Sequence, residues 1–289
     1  MGKALNRDQL GAYHQQGFLF PLPALSDSEA DTFRAKLEQL ELEHGGRLPA
    51  RVNRKPHLLL TWLNELIRDP RILDPVEDVI GPNILCWGSG FFIKDPHDPA
   101  RVTWHQDSTY WGLSKPDVIT AWVAFTPSTT ENGCMRVMPG THTLPQLPHR
   151  DTFSPENLLS RGQEIAVEVD ESKALDVVLM PGQMSLHHVM LVHGSEPNSG
   201  TLRRVGFAIR YLPTYVKQVA DVRDSATLVR GTDEYGHFLH EPAPRSDFHP
   251  DAVAFHSEML ATNNQILYGS KINKQDDSSS PQRARRVRD

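Results

Sequence analysis

Residues 176–211 read DVVLMPGQMSLHHVMLVHGSEPNSGTLRRVGFAIRY. Asp176–Met180, Met184–His188 and Val189–His193 are short apolar runs, and Pro181-Gly182 breaks the first from the second. Arg203–Tyr211 is a fourth extended run, closed off upstream by Pro197, Asn198 and Gly200. Short apolar runs with such punctuation read as β-strands. Upstream, the same pattern recurs at Ile84–Trp87, Phe91–Lys94, Val102–His105, Val118–Phe125, Cys134–Met138 and Ala166–Val169. Turn signals stand at Glu131-Asn132-Gly133 and Met138-Pro139-Gly140. Many short strands with Gly and Pro turns predict a mainly β sandwich or barrel, not a parallel α/β sheet.

The first 81 residues have a helical period. Asn6 caps a short helix carrying Leu10 and Tyr13. Ser26 with Glu29 forms a capping box, opening a helix with Ala30, Phe33, Leu37 and Leu40 on one face. Gly45-Gly46 stops it, a third helix covers Leu58–Arg68, and Asp74-Pro75 caps a fourth that ends at Gly81. No repeat and no mid-chain linker appear. The expected organisation is one domain over 1–270. It has a helical layer at 1–81, a β core at 82–215 and a C-terminal extension at 216–270. A polar, Ser- then Arg-rich tail at 271–289 is expected to be disordered.

Composition narrows the function classes. The 289 residues are 38% hydrophobic with 19 glycines, which is a globular balance. No window approaches 18 consecutive apolar residues, so no membrane span is expected. Met1–Asp8 is charged and lacks an apolar core, so no secretory signal is expected. Position 6 is Asn, which breaks the myristoylation pattern. A net charge of −6 argues against a nucleic-acid-binding surface, and the basic RARRVR run near the C-terminus reads as solvated tail. Two cysteines, Cys86 and Cys134, make neither a disulfide framework nor a cysteine-built zinc site, and fit a reducing cytoplasm. Metal chemistry here would have to use the 14 histidines.

Trp104-His105-Gln106-Asp107 is the segment where it can. On an extended backbone, positions two apart share a face, so His105 and Asp107 can reach one metal. A histidine from a distant strand would complete a facial triad of two His and one carboxylate, a set that suits iron(II) and leaves positions open. Chance alone gives roughly two such H-x-D/E matches in a chain of this composition. His149-Arg150-Asp151, in a Pro-flanked loop, and His256-Ser257-Glu258, in a helix, are the decoys. His187, His188 and His193 are candidates for the third ligand. In Arg203–Tyr211, residues 204, 206, 208 and 210 share one face: two arginines flanking Gly206 and Ala208, as in a cavity wall. Arg210 is then placed to meet an anionic substrate or to buttress the site, unless it forms a salt bridge at the rim.

The order of blocks is more specific than any one of them. W-H-Q-D at 104–107, Y-W-G-L-S at 110–114, T-A-W-V-A-F-T at 120–126 and E-N-G-C-M-R-V-M-P-G-T-H at 131–142 run in sequence. H-G-S-x-P-N at 193–198 and R-R-x-G-F-A-I-R-Y at 203–211 follow. Together they resemble the phytanoyl-CoA dioxygenase family of iron(II)/2-oxoglutarate oxygenases, and YHQQGFL at 13–19 resembles its opening. The resemblance implies a double-stranded β-helix (jelly-roll, cupin-like) core under an N-terminal helical layer. It implies His105, Asp107 and His193 as iron ligands, with 2-oxoglutarate and O2 as cosubstrates. Arg204, eleven residues after His193, would hold the 2-oxoglutarate C5 carboxylate, helped by Ser195. Gln106 and Trp122 match family positions near the cosubstrate. The implied reaction hydroxylates an unactivated C–H of a small-molecule metabolite, releasing succinate and CO2. Halogenating relatives carry a small residue in place of the carboxylate ligand, and Asp107 stands there instead. Desaturation, a Zn or Ni cupin-type enzyme and a catalytically silent binding protein are the other readings of the scaffold. Lys94, Arg136 and Arg210 suggest a polar or anionic substrate, with His57, Tyr110 and Trp111 at the entrance.

Overall fold

Local capping fixes the first helices. Asn6 and Gln9 make a reciprocal capping box at α1 (Arg7–Gln16), and Gly17 ends it at φ 83, where a side chain would be strained. Ser26 and Glu29 do the same at α2 (Asp27–Glu43). The third helix is shorter than the sequence suggests: a 3-10 turn at Pro56–Leu58, then α3 (Thr61–Leu66). The fourth, α4 (Pro70–Ile80), starts earlier, because Asp69 is its cap and Pro70 its first residue. Pro75 lies inside it. Burial of Ile72, Leu73 and Val76 in the core outweighs the hydrogen bond that Pro75 cannot make. The structure, a computed structural model, describes residues 2–154, 156–159 and 161–276, with residues 267–276 as backbone only.

The strands, in chain order, are β1 (Phe18–Pro23), β2 (Ile84–Lys94), β3 (Val102–His105), β4 (Ile119–Ala124), β5 (Met135–Val137), β6 (His149–Asp151) and β7 (Gln163–Ile165). β8 (Leu175–Val177), β9 (Gln183–His188), β10 (His193–Ser195), β11 (Arg204–Pro213), β12 (Ser225–Arg230) and β13 (Leu239–His240) follow. A major sheet runs β1-β9-β4-β11-β2-β12-β13 and a minor sheet β3-β10-β5-β8. Ile84–Trp87 and Phe91–Lys94 are one strand, because the Gly88-Ser89-Gly90 between them stays paired to β11. Ala166–Val169 is not a strand, and its neighbour β7 pairs with β6 instead. β1 falls inside the expected helical layer; its prolines are tolerated because it is an edge strand. β12, beyond the expected core, joins β2.

Two mainly antiparallel sheets face each other, the jelly-roll arrangement, with β13 parallel to β12. The period-two reading of β11 holds. Val205, Phe207, Ile209 and Tyr211 are fully buried against the helical layer, with Leu63, Ile67, Ile72 and Val76. The opposite face looks into the space between the sheets. Arg203 lies outside this alternation, ahead of β11, and pairs with Glu41 and Asp95. α5 (Pro250–Asp276) closes the C-terminal side and makes the first residues of the expected tail helical. Residues 277–289 of that tail lie outside the described residues. No helix among the described residues is long and apolar enough to cross a membrane.

Candidate active site

β10 is hydrogen-bonded between β3 and β5, with His193 directly opposite His105. The two rings lie 4.1 Å apart between centroids. Gln106 continues the extended backbone, and Asp107 then opens a 3-10 turn, bringing its Oδ1 to 3.4 Å from His105 Nε2. One ligand atom from each of His105, Asp107 and His193 lies within 4.8 Å of the others, and all three residues are buried. His105 Nδ1 donates to Thr103 O and His193 Nδ1 to Leu191 O, both at 2.9 Å. These bonds fix the ring orientations and leave both Nε2 lone pairs for a metal. Burial holds His193 well below its ordinary pKa, and His105 adds to the shift. Burial alone would raise the Asp107 pKa. In the metal-free site, hydrogen bonding to a protonated His105, the charges that His193 and His105 carry when protonated, and the Arg210 charge outweigh it and keep the carboxyl ionised; a bound divalent ion would take the place of those protons. Two neutral imidazoles and one carboxylate on one side of a cavity fit a divalent iron.

That cavity has a volume of about 40 Å³ and lies between the sheets. Its far end from the triad is cationic. Arg204, 2% exposed, donates to Gly133 O, leaves Nε without a partner, and stands 5.7 Å from the centre of the Trp122 ring. Burial lowers its pKa to about 10. Ser195 lines the same end. Trp122 both packs and lines: its indole lies over Gly206, where a Cβ would fall inside the ring. Gly206→Ala is therefore expected to lose about 1–3 kcal/mol in urea unfolding, the cost of overpacking.

The other expected residues divide. Arg210 lines this cavity and a larger one of about 610 Å³ that also meets Asp107. Its Nε has no partner, and its guanidinium lies 5.4 Å from the centre of Trp111. Tyr110 and Trp111 line the larger cavity, with Trp87 against Trp111 at 4.9 Å. Gln106 points away. Alternation sends its side chain to Met190 O, Gln146 and Leu147 N, so it does not face the cosubstrate end. Arg136 also faces outward, between inward Met135 and Val137, and is paired with Glu171, Asp176 and Glu196. His57 is fully buried behind β2, bonded to Ser89 and Glu241, and does not reach the entrance. Lys94 lines neither cavity and sits behind Ser195. The decoys are occupied elsewhere. His149 lies in strand β6, not in a loop, and accepts from Gln106 N, while His256 in α5 bonds Arg54 O. Thr120 and His187 line the inner cavity with an unpartnered side-chain atom each; Thr120 was missed, and His187, a candidate third ligand, stands beside the triad rather than in it. The same alternation that places Trp122 places Thr120, and Thr120 and His187 are cross-strand partners.

Residues 13–206 match the phytanoyl-CoA dioxygenase (PhyH) family. A probable alpha-ketoglutarate-dependent hypophosphite dioxygenase from Stutzerimonas stutzeri is 31% identical over 54% of this chain and 54% of its own length. The chain thus spans about half of that curated relative. A structure of apo ThoJ, described as a non-heme monooxygenase, is 35% identical with a TM-score of 0.81, covering 92% of this chain and 100% of that one. CytC3 with Fe(II) and alpha-ketoglutarate is 28% identical with a TM-score of 0.64, covering 86% and 98%. The chain belongs to the phytanoyl-CoA dioxygenase family.

Proposed function

We propose that the protein is an iron(II)- and 2-oxoglutarate-dependent dioxygenase that hydroxylates an unactivated C–H of a small-molecule metabolite, releasing succinate and CO2. One observation carries this: one cavity between the sheets is lined by the His105–Asp107–His193 set and by Arg204, whose Nε has no partner. A 2-oxo dicarboxylate is a ligand that can join a metal held by such a set to a buried guanidinium. Hypophosphite dioxygenase and CytC3, named with alpha-ketoglutarate, support the reading.

Bound iron would supply the oxidising chemistry. The chain's part is to hold and orient. His105, Asp107 and His193 would bind the metal from one side. Arg204, which lines the cavity and has an unpartnered Nε, would fix the C5 carboxylate. Trp122, Phe92, Val102 and Met135 give the cavity walls that exclude water. Arg210, at the junction of the two cavities, would hold an anionic group of the substrate, with Tyr110 and Trp111 as apolar wall. The buried free thiols of Cys86 and Cys134 suit a reducing cytoplasm.

A turnover screen against a metabolite library, read as succinate, tests the function. Iron-dependent succinate above the substrate-free rate supports it. No succinate from any member, or with no substrate, sinks it. Once a substrate is in hand, Arg210→Ala is expected to raise its KM about tenfold or more, the loss of a charged hydrogen bond. The dissociation constant for 2-oxoglutarate should stay put. An unchanged KM removes Arg210 from substrate binding.

A further inference from the structure

Lys94 and Arg204 are direct cross-strand partners on β2 and β11. Lys94 is fully buried and Arg204 2% exposed. Like charges in this relation repel. No carboxylate oxygen lies within 4.0 Å of either among the described residues. Lys94 Nζ instead reaches Ser195 Oγ at 2.8 Å, Ser195 O at 3.4 Å and Glu196 O. Burial, then the Arg204 charge, press the Lys94 pKa down to about 7. Two buried cations without a counter-ion are costly, and an anion beside Arg204 lowers the cost.

The direction of the hydrogen bonds says what Lys94 does. In its protonated form, which an anion beside Arg204 favours, Lys94 has three donors and no acceptor. All three are directed at protein oxygens, and one of these is the Ser195 hydroxyl. Ser195 Oγ therefore accepts from Lys94, so its own proton must point elsewhere. The cavity that Arg204 lines is what it faces.

We propose that Lys94 is a positioning residue that sets cosubstrate specificity: by making Ser195 a donor into the cavity and adding a second buried positive charge, it selects a 2-oxo acid with an anionic tail. This rests on the 2-oxoglutarate reading above. Lys94 does not touch the cosubstrate. Its charge acts through a few ångströms of low-dielectric interior, and its geometry acts through Ser195.

The test uses the full chain loaded with Fe(II) without oxygen. The visible charge-transfer band is titrated with 2-oxoglutarate and with 2-oxopentanoate, which has a methyl group in place of the C5 carboxylate. Lys94→Met should weaken 2-oxoglutarate binding about 10- to 100-fold, the range for hydrogen bonds to charged groups. Binding of 2-oxopentanoate and of Fe(II) should change little, so discrimination narrows. Lys94→Arg should keep most of the discrimination, and Ser195→Ala should lose part of it. Those two variants carry the test if Lys94→Met does not fold. A merely structural lysine would weaken both ligands alike, and an unchanged ratio in Lys94→Met or Ser195→Ala overturns the proposal. Failure of the wild-type protein to give a band with 2-oxoglutarate would overturn the cosubstrate reading itself.

Discussion

His193→Ala is expected to retain no ferrous iron at the site and to form no succinate above background in air. His193 is one of three donors grouped there among the described residues, and it stands opposite His105, so its loss leaves one imidazole and one carboxylate. Two donors hold a hard divalent ion too weakly against water and buffer. The fold should survive. His193 lies in the short strand β10, whose pairing with β3 and β5 is made by the backbone. One neighbour could interfere: His187, with an unpartnered Nδ1, has its ring 5.0 Å from that of His193. Pairing His193→Ala with His187→Ala sets the floor. Metal analysis after anaerobic loading and a succinate assay in air read the outcome. Wild-type iron content in both variants would mean that iron binds elsewhere.

Arg204→Ala is expected to raise the 2-oxoglutarate dissociation constant by about 10- to 150-fold, corresponding to about 1.5–3 kcal/mol for a charged hydrogen bond. Iron stoichiometry should not change, because Arg204 sits at the opposite end of the cavity from the triad. Arg204→Lys should restore little. A point charge lacks the planar fork, and the fork already spends one arm on Gly133 O while Nε waits without a partner. Titration of the charge-transfer band reads both variants. High 2-oxoglutarate should recover turnover in Arg204→Ala, whereas no concentration should recover His193→Ala.

The sequence was most legible where period and chemistry coincide. Alternation in β11 separates Arg204, Gly206, Ala208 and Arg210 from the core-facing Val205, Phe207 and Ile209, and both faces lie where the pattern puts them. The two capping boxes are equally local and equally clear. Legibility fails where a distant partner decides. Asp69-Pro70 and Asp74-Pro75 offer the same helix-start chemistry, and packing of Ile72 and Leu73 into the core chooses the first. β1 carries two prolines and looks like a loop until it has β9 beside it. Arg136 and His57 look available in sequence, but one has three carboxylates and the other has Glu241 and Ser89, all far away along the chain. Gln106 sits between two residues of the triad, and the same alternation that unites them turns it away.

The most direct measurement is made without oxygen. Full-length protein receives one equivalent of ferrous iron, then 2-oxoglutarate, and its visible absorption is followed. A weak charge-transfer band should grow with 2-oxoglutarate and saturate at one equivalent. The band should be missing in His193→Ala. Wild-type protein that keeps its iron yet shows no band, and makes no succinate when air is admitted, would contradict the assignment of His105, Asp107, His193 and Arg204 to one iron and 2-oxoglutarate site.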